Sequence, residues 1–165
     1  TMQPFGEESL AKIRRHQRLR AGKGFTTIEQ SRDLTKAAQR IAKLPNQFQE
    51  EAVTINRPEN SVPFIRDTAL LECMSNLVAN EMYDPSGAGE NAEESILAGI
   101  HKLQKVSDDL VVVTNEVFSD SMTDNPEMEE YLKLLGKLNL RMGEMADLVT
   151  EVVYGIPVER KDIKK

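Results

Sequence analysis

Residues 13–20 read IRRHQRLR and set four arginines around His16, one of two histidines in the chain. Histidine is a nucleophile when its ring offers a lone pair, and guanidinium groups pair with phosphate oxygens. On a helix, Lys12 and Arg20 lie one turn either side of His16. Such a helix attracts and orients a polyphosphate, and an imidazole beside a bound triphosphate is placed to attack phosphorus. The same residues are also consistent with a solvated basic helix carrying an incidental histidine. Composition alone leaves both readings open.

Glu72 is the second candidate. It ends the apolar run of TALLEC, residues 68–73. An acid at the carboxyl edge of a parallel sheet is where nucleotide-binding α/β proteins hold magnesium or a ribose. A strand-end acid that simply faces water is the plainer alternative. Asn115-Glu116 follows LVVVT, residues 110–114, and repeats the pattern, which favours a cleft shared by two strand ends. His101 beside Lys102 reads as a surface residue. Cys73 reads as a small buried apolar side chain rather than a nucleophile. The 165 residues contain no GxxxxGK[ST] phosphate loop.

The 165 residues fit a single domain, 1–165, able to bury a core without staples. Hydrophobic residues make up 39% and charged residues 29%, an ordinary globular balance. No apolar run approaches the ~18 residues of a membrane span, and no signal-like segment is evident. One cysteine excludes an internal disulfide and a multi-cysteine metal site. The expectation is a soluble, cytoplasmic protein. Charge is uneven: residues 1–45 hold ten Lys and Arg against four Asp and Glu, a balance of +6, and the remainder carries −12. An anion handled near the N-terminal end follows. Nucleic acid is a poor fit, because the basic stretch is short, has only Phe5 and Phe25 for stacking, and sits on an acidic body. A small phosphorylated ligand fits better.

The elements that must position these residues follow from periodicity. Glu7 to Arg20 predicts a helix stopped by Ala21-Gly22-Lys23-Gly24. Phe25 to Ile28 is a short β-prone run, and Ser31 to Leu44 a second helix. Asn56 to Pro63, with two prolines, is loop. TALLEC predicts a strand running into a helix over MSNLVANEMY, and DPSGAGE, residues 84–90, a flexible connection. Ala92 to Val106 predicts a helix, and Leu110 to Thr114 a strand covered on both faces. A long amphipathic helix follows from Pro126 to Ala146, with Tyr131, Leu134, Leu135, Leu138 and Met142 on its apolar side. Leu148 to Tyr154 and Val158 to Arg160 are strands flanking Gly155-Ile156-Pro157. Alternating strands and helices predict an α/β fold with a mostly parallel sheet.

Taken in order, several stretches resemble the bifunctional adenosylcobinamide kinase/adenosylcobinamide-phosphate guanylyltransferase family of cobalamin biosynthesis. KIRRHQRLR, residues 12–20, matches its RIxxHxxxR motif, and FTTIE, residues 25–29, its aromatic-x-T-x-E. LLECMSNLVAN, residues 70–80, is similar to its LLEC or LLDC strand and following helix. VVVTNEV, residues 111–117, resembles its VxVTNEV strand, and GKLNLRMGEMADLVTEVVYGIPVERK, residues 136–161, its C-terminal motif. Phe118 and SDSMTDN stand where the family has Gly and then a Val-Pro step. EYLKLL, Glu130 to Leu135, replaces a basic RxFRD pattern.

The resemblance implies a P-loop NTPase, RecA-like fold, often assembled as a homotrimer, that phosphorylates adenosylcobinamide with GTP or ATP and Mg2+. GMP then passes to adenosylcobinamide phosphate through a guanylyl-histidine. The histidine falls on His16, the nucleotide-contacting turn on Gln17, Arg18, Leu19 and Arg20, and the acids on Glu29 and Glu72. Thr1 and Met2 match the strand end beside the phosphates. The family's first strand, phosphate loop and helix, roughly 30 residues, have no counterpart, so the expectation is an N-terminally incomplete domain inactive as a kinase by itself. A non-catalytic nucleotide-binding homologue or divergent family member is the alternative.

Overall fold

The computed structural model describes residues 6–44, 68–118 and 125–163. The chain divides into two compact units, Thr1–Glu116 and Val117–Lys165. The expected loop at Asn56 to Pro63 and the positions of Thr1 and Met2 lie outside the described residues.

In the first unit, α1 (Gly6–Arg20) forms over a stretch that, after Gly6 itself, lacks Pro and Gly. It stops where Gly22 and Gly24 take positive φ of 74° and 75°, which glycine adopts without steric cost. The β-prone run Phe25 to Ile28 is not a strand. Phe25 is 55% exposed, and a short apolar run gains from extended pairing only when it is packed against a neighbour. The chain is instead anchored just after this run by Arg40, whose Nη1 donates to the Glu29 carbonyl at 2.8 Å.

The second helix, α2 (Leu34–Ile41), is shorter than Ser31 to Leu44. Asp33 takes a left-handed φ of 54° and its carboxylate accepts from Lys36 N, so the helix starts there. Leu34, Ala37 and Ala38 are its buried face. They meet α4 (Ala92–Val106), whose Gly99 approaches so closely that an added Cβ would clash with Leu34 Cβ.

Strands β1 (Thr68–Leu71) and β2 (Asp109–Val112) pair in parallel, Thr68 opposite Asp109 and Leu71 opposite Val112. Two further bonds, Val113 N to Leu71 O at 2.9 Å and Met74 N to Val113 O at 3.0 Å, carry the pairing past the strand ends. Between them run α3 (Met74–Tyr83) and α4. Each buries residues at helical spacing: Met74, Leu77, Val78 and Glu81 on α3; Ala92, Ile96, Gly99, Ile100 and Leu103 on α4. The reading of LVVVT as covered on both faces is corrected. Leu70 and Val111, register partners, are 42% and 48% exposed, whereas Leu71 is buried. Among the described residues of this unit the pair has helical cover only on the Leu71 face.

DPSGAGE is not a loose connection. Gly87 N bonds Asp84 O at 2.7 Å, Ser86 N bonds Asp84 Oδ1 at 2.8 Å, and a 3-10 turn spans Gly89–Asn91. A Cβ on Gly87 would stand 2.6 Å from the Asn80 carbonyl oxygen, so glycine alone fits against the end of α3.

The second unit holds α5 (Pro126–Met145) and a hairpin of β3 (Leu148–Val153) and β4 (Ile156–Asp162). Asn125 caps α5 through Glu127 N and Met128 N, with Pro126 in the first turn. Leu135 and Leu138 are fully buried, as the predicted apolar side requires. Lys133, bonded at 2.7 Å, holds the exposed Glu129 carboxyl below its ordinary value. Lys161 Nζ donates to the carbonyls of Gly143 and Glu144 at 3.0 and 2.9 Å, placing a cation on the negative end of the helix.

Here the expected mostly parallel sheet is corrected: β3 and β4 are antiparallel, in a sheet separate from β1-β2. The expected gap at Gly155-Ile156-Pro157 is also shorter. Tyr154 and Gly155, at φ 50° and 80°, make a two-residue turn, so Ile156 and Pro157 already pair with Val153 and Val152. Two left-handed residues give the turn twist that matches a hairpin. The structure is thus a mixed α/β one, with a small parallel sheet flanked by helices in the first unit. No described helix is long and apolar enough to cross a membrane.

Candidate functional site

The last two turns of α1 present His16, Gln17, Arg18 and Leu19 to solvent. Arg20 is the last residue of the helix. The glycine turn after α1 brings the chain back alongside it. As a result, Gln17 Nε2 donates to Glu29 Oε1 at 2.8 Å, across twelve residues. Two of the sequence candidates are therefore in direct contact, one residue from His16. Glu29 is held from both ends, its carboxylate by Gln17 and its carbonyl by Arg40.

Glu29 also opens a polar cleft of about 280 Å³ lined by Gln30, Ser31, Arg32, Asp33, Lys36 and Ser86. Its cations are balanced by neighbouring acids: Arg32 meets Asp84 at 3.1 Å, and Lys36 meets Asp33 at 3.1 Å. Gln30 Nε2 donates to Arg32 O and keeps the cleft wall tight.

Glu72 is half-buried directly after β1, and Asn115 and Glu116 follow β2, so the parallel register sets all three at the carboxyl edge of the pair. Ser75 Oγ donates to Asn115 Oδ1 at 3.2 Å, and Cys73 Sγ lies 3.0 Å from Ser75 Oγ. This hydrogen-bonded chain ties the two strand ends together. Cys73 is half-buried rather than sealed in the core. His101 is exposed, its Nδ1 3.2 Å from Gln104 Oε1, as a surface residue should be. Among the described residues no group of three or more His, Cys, Asp or Glu is arranged to hold a metal ion.

The candidates thus form two groups, one around Gln17 and Glu29 and one at the strand edge. Sequence reasoning missed Glu81, 2% exposed at the end of α3. Its signal was present, an acid at the fourth position of the buried stripe Met74, Leu77, Val78, Glu81.

Against this geometry, the family model described as cobinamide kinase / cobinamide phosphate guanyltransferase matches residues 1–160. The bifunctional adenosylcobalamin biosynthesis protein CobU of Salmonella typhimurium is 29% identical over 106 residues, 58% of this chain. The match spans 59% of that relative's length. With the family model covering all but the last residues, the chain belongs to the cobinamide kinase / cobinamide phosphate guanyltransferase family.

Proposed function

We propose that the chain acts in cobalamin biosynthesis as a GTP-dependent kinase of adenosylcobinamide and guanylyltransferase to its phosphate, on a P-loop, RecA-like fold. Guanylyl transfer is the half of the reaction in which His16 and its neighbours take part. His16 attacks the α-phosphorus of GTP with a ring nitrogen. A P–N bond forms, the bond to the bridging oxygen breaks, and pyrophosphate leaves. A phosphate oxygen of adenosylcobinamide phosphate then attacks the same phosphorus, and the ring nitrogen leaves with its electron pair.

The basic residues Arg14, Arg15, Arg18 and Arg20 offset the triphosphate charge near the point of attack. Gln17 and Glu29 hold the helix of His16 against the segment that lines the polar cleft. The strand-edge group fits magnesium in the limited way that ion uses protein ligands: one half-buried carboxylate, Glu72, suffices when phosphates and water supply the rest. A magnesium ion held there would neutralise phosphate charge. The family resemblance favours a homo-oligomer.

The 2.8 Å bond from Gln17 to Glu29 supports this reading most, because it joins the histidine's helix to an acid-bearing cleft without any regular element between them. The test is mass spectrometry of the protein after incubation with GTP and magnesium. A GMP-sized, acid-labile adduct is expected, absent in His16→Ala and retained in His101→Ala. An adduct that survives the loss of His16 removes that residue as the nucleophile.

A further inference from the structure

Among the described residues of the first unit, Glu81 is the buried charged side chain, and the proposed chemistry makes no use of it. Its carboxylate is committed at both oxygens. Oε1 accepts from Asp33 N at 2.6 Å and Oε2 from Ala88 N at 3.0 Å. Asp33 lies 48 residues earlier in the chain. Two neighbours reinforce the same junction. Asn80 Nδ2 donates to Ser31 O at 2.8 Å, and Arg32 pairs with Asp84 at 3.1 Å with both side chains largely covered. Burying a carboxylate is costly unless it is hydrogen-bonded, so this one is retained where it satisfies two backbone donors that have no strand or helix partner.

The segment so gripped, Ser31 to Asp33, follows directly on Glu29 and Gln30. Asp33 N sits at a left-handed residue, where the chain turns into α2. Three bonds, from Asn80, Glu81 and Asp84, therefore hold the segment that sets where Glu29 emerges, and Glu29 in turn bonds Gln17 beside His16.

We propose that Glu81 is a positioning residue: its carboxylate clamps the Ser31–Asp33 turn to the Asp84–Ala88 loop and thereby places Glu29 against Gln17. The bearing of this clamp on catalysis rests on the function proposed above; the clamp itself does not. Glu81→Gln is the informative change, being nearly the same size. Its amide nitrogen cannot accept from a backbone N–H, so one of the two donors is left unsatisfied.

The experiment uses the full chain and reads the side-chain amide resonances of Gln17 by NMR, then GTP affinity by calorimetry. In folded Glu81→Gln, the Gln17 resonances are expected to move toward their positions in Glu29→Ala, and the Kd for GTP to rise at least fivefold. Loss of stability alone would not shift those resonances. Unmoved Gln17 resonances in a folded Glu81→Gln protein overturn the clamp. Should the wild type fail to bind GTP, the proposed function falls, and the resonances decide the clamp by themselves. If Glu81→Gln does not fold, Asn80→Ala, which removes the donor to Ser31 in the same clamp, is read in the same way.

Discussion

Replacing Gly99 with alanine places a methyl group on the buried seam between α2 and α4. The neighbour is Leu34, 2% exposed, whose Cβ would lie well inside contact distance of the added carbon and whose Cα would lie 3.3 Å from it. A Cβ cannot rotate away, so relief requires the two helices to separate. Overpacking of this kind costs about 1–3 kcal/mol, toward the upper end when backbone must move. Alanine in place of glycine inside a helix returns about 1 kcal/mol. The net expectation is a loss of about 2 kcal/mol. With a urea slope of about 2 kcal/mol/M, the unfolding midpoint followed by far-UV circular dichroism falls by about 1 M. The second change Leu34→Gly, which removes the opposing Cβ, should cost less in the Gly99→Ala background than in the wild type. A Gly99→Ala protein as stable as the wild type or more so would show that the seam is not tight, and would refute the argument.

Two further outcomes are expected. Lys161→Met keeps the aliphatic stem but removes the cation from the carbonyls of Gly143 and Glu144. It should lower stability by about 1 kcal/mol in thermal unfolding. Glu129 should titrate below its ordinary value by NMR and return to it in Lys133→Met, since the Lys133 hydrogen bond is the main cause of the shift. Its folded value is the lower one, so its contribution to stability is present above the unfolded value and is lost as pH falls through the folded value.

The expected chemistry and the observed geometry meet unevenly. His16, Gln17 and Glu29 were legible because a basic helix, a glycine stop and an acid follow one another within seventeen residues, and local order carries them. Glu72 and Asn115 were legible because apolar runs ending in polar residues mark strand ends. Glu81 was not read as functional, since its role depends on a backbone amide 48 residues away.

By itself, the sequence determined where helices form and which faces they bury. Met74, Leu77 and Val78, or Ile96, Ile100 and Leu103, repeat at the helical period, and that signal is local. It determined the family motifs too, because those are strings of residues. Only the tertiary structure decided that Leu70 and Val111 stay exposed among the described residues, that Ile156-Pro157 belongs to an antiparallel hairpin, and that the chain just after FTTI is held by Arg40 at the Glu29 carbonyl. Strand pairing and long-range hydrogen bonds depend on which segment arrives alongside. That is a property of the packed chain, and no stretch of residues carries it alone.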